Sequence, residues 1–373
     1  MHIVYLISNL EFGGAQKIAV GLAEEAVRRG HRATLVTVSG RNDYAGRLRR
    51  AGVDYETLDF RQRLTWPNVF AIARLRQQLV QVVKRIRPDV VHSQLFAPKI
   101  VLYGARSLAG CPIVETQQDN PPWWRSNSLG ARIRRHIDRV FLSRTSACTT
   151  AISRSVQSDL KHLFDYPGDT CPVIYNFPDE PPDDLPARPS GVRRHLMMVT
   201  RLDVEKKGID TALLVLDRVR QVIPEVRLTI VGDGPHADRV QQLVRSRRLA
   251  ANVEFRGYRP DVYREYVSAD VVLMPSRWEG FGISAAEAGA VGVPVVASRV
   301  GGLQEVVVDG VTGFTCDAED VEAFVDRTIT LLRDDGLYTA MSTAAKASIK
   351  ERFSVSAAFN RYEQVYEFAR RAA

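Results

Sequence analysis

Residues 275–289 read P-S-R-W-E-G-F-G-I-S-A-A-E-A-G and constrain the chain more than any other stretch. The apolar run Val271-Val272-Leu273-Met274 enters them as a buried strand, an Ala-rich helical segment leaves from Ser284, and Val295-Val296-Ala297 resumes a strand. The pattern is therefore strand, tight loop, helix, strand. Gly280 and Gly282 bracket Phe281, so the backbone can approach a ligand just where a helix start presents unpaired N–H groups. Such a turn suits an anion, above all a phosphate. Glu279 and Glu287 flank it, and two carboxylates there call for an electropositive or polyhydroxylic group between them; a nucleotide sugar supplies hydroxyls. Ser284-x-x-Glu287 is equally a capping box that needs no ligand, so Glu287 stays open between the two uses.

At 373 residues the chain is too long for one ordinary core and predicts two domains. In the first half, strands at 2–7, 33–38, 89–92, 112–116, 147–152 and 172–175 alternate with helices at 16–29, 68–87, 98–108, 129–143 and 154–163. Alternation of this kind predicts a parallel, doubly wound sheet. Residues 177–191 hold five prolines among acids and read as a seam. Beyond it a new α/β series begins, with strands at 195–200, 227–231, 252–255, 270–274 and 294–297 and an amphipathic helix that includes Val321, Phe324, Val325 and Leu332. The expected division is 1–178, a linker 179–191 and 192–354, with a last helix from 355 to 373.

The whole net charge of +8 sits in residues 1–190, which hold 26 Lys and Arg against 18 Asp and Glu. A basic half implies an anionic partner. Helix 129–144 carries Arg132, Arg134, Arg135, Arg139 and Arg144, and helix 68–87 carries Arg74, Arg76, Lys84, Arg85 and Arg87. A charged helix face is ordinarily just solvated and a Trp-Trp loop ordinarily packed; the sharper expectation is docking on an anionic membrane surface, with Trp123 and Trp124 at the head groups or stacked on an acceptor sugar. Aromatic residues do not interleave with the basic ones, so no nucleic acid is expected. The start of the chain has no basic n-region, no long apolar run follows, and the four cysteines show no metal-ligand spacing. These features predict a cytoplasmic protein, peripheral on the inner face of the membrane if the basic helices dock.

E-G-F-G-I-x-x-x-E, preceded by P-S-x-W and followed by G-x-P-V-V-A-S-x-V-G-G, resembles the donor-site signature of the retaining glycosyltransferases of family 4, which have the GT-B fold. The resemblance implies two Rossmann-like domains facing each other across a cleft, an acceptor-binding N-terminal one and a donor-binding C-terminal one, with the last helix crossing back to the first. It implies transfer of a sugar from a nucleotide diphosphate sugar, most often UDP, to a glycan or lipid-linked acceptor, as in the synthesis of cell-surface polysaccharide or glycolipid. Arg201 and Lys207 match the family's R-x(5)-K-G pattern and would meet the charge of the leaving diphosphate. Glu279 would face the transferred sugar, Glu287 the ribose, and the N–H groups of Phe281, Gly282 and Ile283 the phosphate. Gly232 and the Arg256-Gly257-Tyr258 turn would border the nucleoside, and Gly14, in the Gly13-Gly14-Ala15 turn, the diphosphate.

One absence and one departure from the family bear on mechanism. No D-x-D occurs, so the pyrophosphate is expected to be held by cations without a metal or other cofactor. Gln118 stands where the family commonly has a histidine; it can bond a sugar hydroxyl but cannot act as acid or base. A sugar-nucleotide epimerase, a phosphorylase and a noncatalytic nucleotide-sugar or nucleic-acid binding protein stay open as alternatives. They differ in needing no acceptor, in needing phosphate, and in releasing no sugar.

Overall fold

A computed structural model describes the chain except residues 12, 41, 59, 61–68, 104–106, 125, 168–170, 188–190 and 373, and the side chains of 69, 122, 143 and 144. Phe12, Asn68 and the seam residue Pro189 thus lie outside the described residues, as does the side chain of Arg144. The chain forms two compact units, Met1–Phe177 with Val355–Ala373, and Pro178–Ser354.

In the first unit, strands β1 (His2–Ile7), β2 (Arg32–Thr37), β3 (Asp54–Thr57), β4 (Val90–Gln94), β5 (Ile113–Gln117) and β6 (Cys148–Ala151) form a sheet in the order β3-β2-β1-β4-β5-β6. All pairings are parallel. β1 is buried along its whole length, because helices cover both faces; this is why such strands read as continuous apolar runs without alternation. The second unit repeats the plan with β7 (His195–Val199), β8 (Arg227–Val231), β9 (Val253–Gly257), β10 (Val271–Met274), β11 (Val295–Ser298) and β12 (Gly313–Cys316), in the order β12-β11-β10-β7-β8-β9, again all parallel. Leu196, Met198, Leu216, Val271, Leu273, Val296 and Phe324 centre its core.

Several expectations move. Two strands are unforeseen, β3 and β12. Both are four-residue sheet edges, and Asp54–Thr57 is only half-buried, so neither carries the long apolar run that marks an inner strand. The strand expected at 172–175 is a single bridge between Val173 and Ala151. The helix expected at 98–108 is Phe96–Leu102, and that at 129–143 ends at Val140 and passes into a wider turn, Phe141–Thr145.

Residues at the start of the proline-rich seam lie against the second unit: the Tyr263 hydroxyl donates to the Asp179 carbonyl, and Arg264 pairs with Asp184 at 2.5 Å. The last helix, Val355–Arg371, packs on the first unit's sheet. Tyr366 Oη bonds His92 Nδ1 at 2.8 Å, Tyr362 Oη bonds Thr116 Oγ1 at 2.9 Å, and Arg29 pairs with Glu363 at 2.8 Å. Burial pushes the His92 imidazole down to about 3, so the ring sits neutral in this polar seam. The four cysteines are buried and none forms a disulfide. Among the described residues no helix is long and apolar enough to cross a membrane.

Candidate active site

In the second unit the chain runs from β7 outward through β8 and β9, then returns to the other side of β7 for β10, β11 and β12. The strand order therefore reverses between β7 and β10, and open α/β sheets bind ligands beyond the carboxyl ends of the strands at such a reversal. The two loops that leave these strands there are 200–208 and 275–282. They carry Lys207 and Glu279, whose Nζ and Oε2 meet at 2.5 Å. Glycine permits the contact: Gly208 has φ +60°, and a Cβ there would lie 1.9 Å from the Pro275 carbonyl oxygen. Gly301, after β11, supports Glu279 from the other side with φ +48° and an equally close approach to the Glu279 carbonyl.

Both side chains of the pair are mostly enclosed, Lys207 at 17% and Glu279 at 13% exposure. Burial works to raise the Glu279 carboxyl, but the neighbouring charges of Lys207 and Lys206 outweigh it and hold the group below the usual carboxylate range. Arg201, just beyond the end of β7, is exposed and makes no ion pair with any described residue. Gly282, at φ +99°, caps the helix Ile283–Ala290, and no described group bonds the N–H of Gly282, Ile283 or Ser284. Arg201, Lys207 and the start of the helix Ile283–Ala290 thus all lie in the segments that follow the carboxyl ends of β7 and β10.

The cap at Gly282 also settles the capping box: Ser284 lies inside the helix and makes no cap bond, so Glu287 is not used that way. Glu287 is buried and accepts the Tyr266 hydroxyl at 3.3 Å, which also reaches the Ser284 carbonyl at 3.1 Å. Gly280 and Phe281 are buried in the loop, with the Phe281 ring edge-on to Phe353. Gly232 leaves β8 at φ +133° against the Thr200 carbonyl, beside Arg201. Gly257 ends β9, Tyr258 is exposed, and Arg256 is spent on Glu254 and Glu265, each at 2.9 Å. Asp203, Glu205 and His236 place ligand atoms within 4.8 Å of one another, but Asp203 already caps the helix Val204–Lys207 and Glu205 pairs with Arg239.

In the first unit, Gly14 opens the helix Gly14–Arg28 behind an extended Gly13. Gln118 follows β5, donating to Gln94 and accepting from Asn176, each at 3.0 Å. The expectation of exposed tryptophans fails for Trp124, which is 2% exposed with its indole N–H on Asp138 at 2.8 Å. Trp123 is half-buried, donates to the same carboxylate at 3.3 Å and lies under Arg134 at 5.0 Å. Arg135 is drawn back onto the carbonyls of Ser126 and Trp124, so it ties down the loop instead of facing outward. Arg132, Arg134 and Arg139 stay exposed, as do Leu129 and Ile133 on the same helix. Sequence reasoning missed Arg277, whose neighbours are described below, and a buried cluster in which Lys99 lies 3.1 Å from Asp138 and 3.4 Å from Glu115. A lysine inside the apolar run 98–102 was the available signal.

The fold and this edge define a two-domain α/β enzyme of the GT-B type. The pattern of "Glycosyl transferases group 1" matches residues 189–348, and that of "Glycosyltransferase Family 4" matches residues 12–180. A glycogen synthase of Mycobacterium tuberculosis is 30% identical over 80% of this chain and 73% of its own length. The N-acetyl-alpha-D-glucosaminyl L-malate synthase of Bacillus anthracis is 26% identical over 95% and 93%. The structure of Anabaena Alr3699/HepE in complex with UDP-glucose superposes with a TM-score of 0.82 at 20% identity, covering 98% of this chain and 99% of the other. The chain belongs to glycosyltransferase family 4 and is a glycosyltransferase.

Proposed function

We propose that this enzyme moves a hexose-type unit from a nucleotide diphosphate sugar, with UDP as the nucleotide, to a glycan or lipid-linked acceptor, with retention at the anomeric carbon and without a metal ion. The observation that carries this is the Lys207–Glu279 pair at the strand-order reversal, beside exposed Arg201 and the start of the helix Ile283–Ala290. Breaking the bond between C1 and the phosphate oxygen leaves the electron pair on the diphosphate. Arg201, Lys207 and the helix amides meet that charge, which is where a preorganised donor lowers a barrier most. Glu279, ionised by its lysines, accepts hydroxyls of the transferred sugar, and Glu287 accepts those of the ribose. Gln118 cannot take a proton, so the departing phosphate oxygen removes it from the acceptor hydroxyl as the new C1–O bond forms on the same face. Gly232 and the Arg256-Gly257-Tyr258 turn supply backbone contacts to the nucleoside.

UDP is favoured because Anabaena HepE, of the same fold, binds UDP and UDP-glucose. The acceptor class is supported by the basic first unit, where Arg132, Arg134, Arg139 and Leu129 are exposed, as suits docking on anionic lipid on the inner face of the membrane. The test is calorimetric binding of UDP-, GDP- and ADP-glucose, then turnover on total membrane lipid with and without EDTA, with the product anomer read by NMR. UDP-glucose tightest, an α-linked product and no loss with EDTA are expected. An inverted product, loss of turnover with EDTA, or tightest binding of GDP- or ADP-glucose would each remove the corresponding part of the proposal.

A further inference from the structure

We propose that Arg277 is a positioning residue that sets the register of Lys207 against Glu279, and so controls the chemical step without itself touching the donor. The proposal rests on the donor-site role of that pair. Lys207 ends a one-turn helix, Val204–Lys207, too short to hold itself. Its one helical bond at this end runs from the Gly208 N–H to the Val204 carbonyl at 3.1 Å, and Arg277 reaches that carbonyl and the next two from the opposite loop. The Arg277 backbone N–H donates to the Lys206 carbonyl at 2.9 Å. Its Nη1 donates to the Val204 carbonyl at 3.0 Å and approaches that of Glu205 at 3.4 Å. The three carbonyls just before Lys207 thus all face one residue, two positions from Glu279.

The rest of the guanidinium is anchored. Nη1 and Nη2 grip Asp210 at 3.1 and 2.9 Å, and Nε donates to Glu319 at 2.6 Å. Asp210 lies in the first turn of the next helix, Ile209–Val222, so the fork ties the Glu279 loop to both sides of Lys207. With both terminal nitrogens and Nε already engaged, Arg277 is poorly placed to take a phosphate, unlike exposed Arg201. A lysine could not replace it, because one ammonium cannot span a carboxylate in bidentate fashion and reach backbone carbonyls on another side. A contact that only glued the loops would serve stability alone. This one fixes the backbone that carries Lys207, and small misplacements of a transition-state group are expensive.

The experiment is a double-mutant cycle on turnover with whichever of UDP-, GDP- and ADP-glucose the wild type uses fastest, with donor affinity and thermal midpoint followed in parallel. Arg277→Lys and Asp210→Asn are each expected to lower kcat by about 10- to 100-fold, with donor KM changed less. In a Lys207→Met background neither should lower kcat further, because the group they position is gone. Glu319→Gln, outside the Lys207 arm, should change kcat by less than about 2-fold. Asp210→Asn approaches the same contact from the partner side, should Arg277→Lys fold poorly. Full activity in both variants, or losses that multiply with Lys207→Met, would overturn the positioning role while leaving the donor site standing. Lys207→Met with wild-type turnover, or a wild type inactive on all three donors, would overturn both.

Discussion

Each unit sets a lysine against a glutamate on or just beyond a parallel strand, fully buried in the first unit and partly open in the second, and the two carboxyls are shifted in opposite directions. In the first, burial pushes the Glu115 carboxyl up to about 8 despite the Lys99 charge beside it. In the second, the Glu279 carboxyl is held below the usual range despite burial. The partners explain the contrast. Lys207 lies 2.5 Å from Glu279, with Lys206 adding to it, whereas Lys99 stands 3.4 Å from Glu115 and is shared with Asp138 at 3.1 Å and Gln117 at 2.5 Å. Asp138 also takes the N–H groups of Trp123 and Trp124, so it competes well for the ammonium. Burial alone would lower the Lys99 ammonium, but Asp138 and Glu115 outweigh it and hold the group raised. One cation among two enclosed carboxylates leaves one of them to keep its proton; two cations around one carboxylate keep it ionised. The first arrangement organises a core, and the second keeps a carboxylate ionised in the loops beyond β7 and β10.

The contrast breaks most visibly at the lysines. Lys99→Met leaves enclosed carboxylates without their cation and should lower stability by about 3–5 kcal/mol in urea unfolding. Lys207→Met, at a partly open pair, should instead lower turnover by about 10²-fold while the unfolding midpoint moves little. The proton directions sharpen the comparison further. Because folding raises the Glu115 carboxyl, the folded chain keeps a proton that the unfolded chain releases. Its contribution to stability is full below the ordinary carboxylate value and declines as pH rises toward about 8, by at most about 1.4 kcal/mol per pH unit. Glu115→Gln should therefore flatten the fall of the urea midpoint between pH 5 and 8. Glu279, lowered on folding, contributes stability that is lost only as pH falls below the ordinary value, so Glu279→Gln should leave that slope unchanged. The smallest effect belongs to Lys206→Ala, whose ammonium lies 6.0 Å over the Trp278 ring; turnover should change by less than about 3-fold. A larger loss would make Lys206 a full partner in the site.

The residues of the second pair, though not their contact, were singled out in the sequence, and those of the first were not, for a physical reason. Glu279 sits in a contiguous loop whose glycines and flanking strand and helix announce a ligand turn, and Lys207 in a spaced motif after a strand. Lys99, Glu115 and Asp138 come from a helix, a strand and another helix, and only tertiary packing brings them together. The same limit explains Trp124, whose burial depends on Asp138 and Phe164 and not on its neighbours in the chain. Inner strands were found by their apolar runs, whereas β3 and β12, at the sheet edges, lack them. Glu287 shows the reverse case: its spacing from Ser284 fitted a cap, and one glycine in the left-handed region moved the helix start so that no cap forms.

The helix Val355–Arg371 follows the whole second unit in the chain, yet Tyr362 and Tyr366 close a face of the first unit's sheet. During translation the contiguous second unit can reach its native contacts before the first has all of its own. The sheet face around His92 and Thr116 therefore stays uncovered until residues 355–371 have emerged, and a nascent chain stalled short of Val355 would expose that face to chaperones.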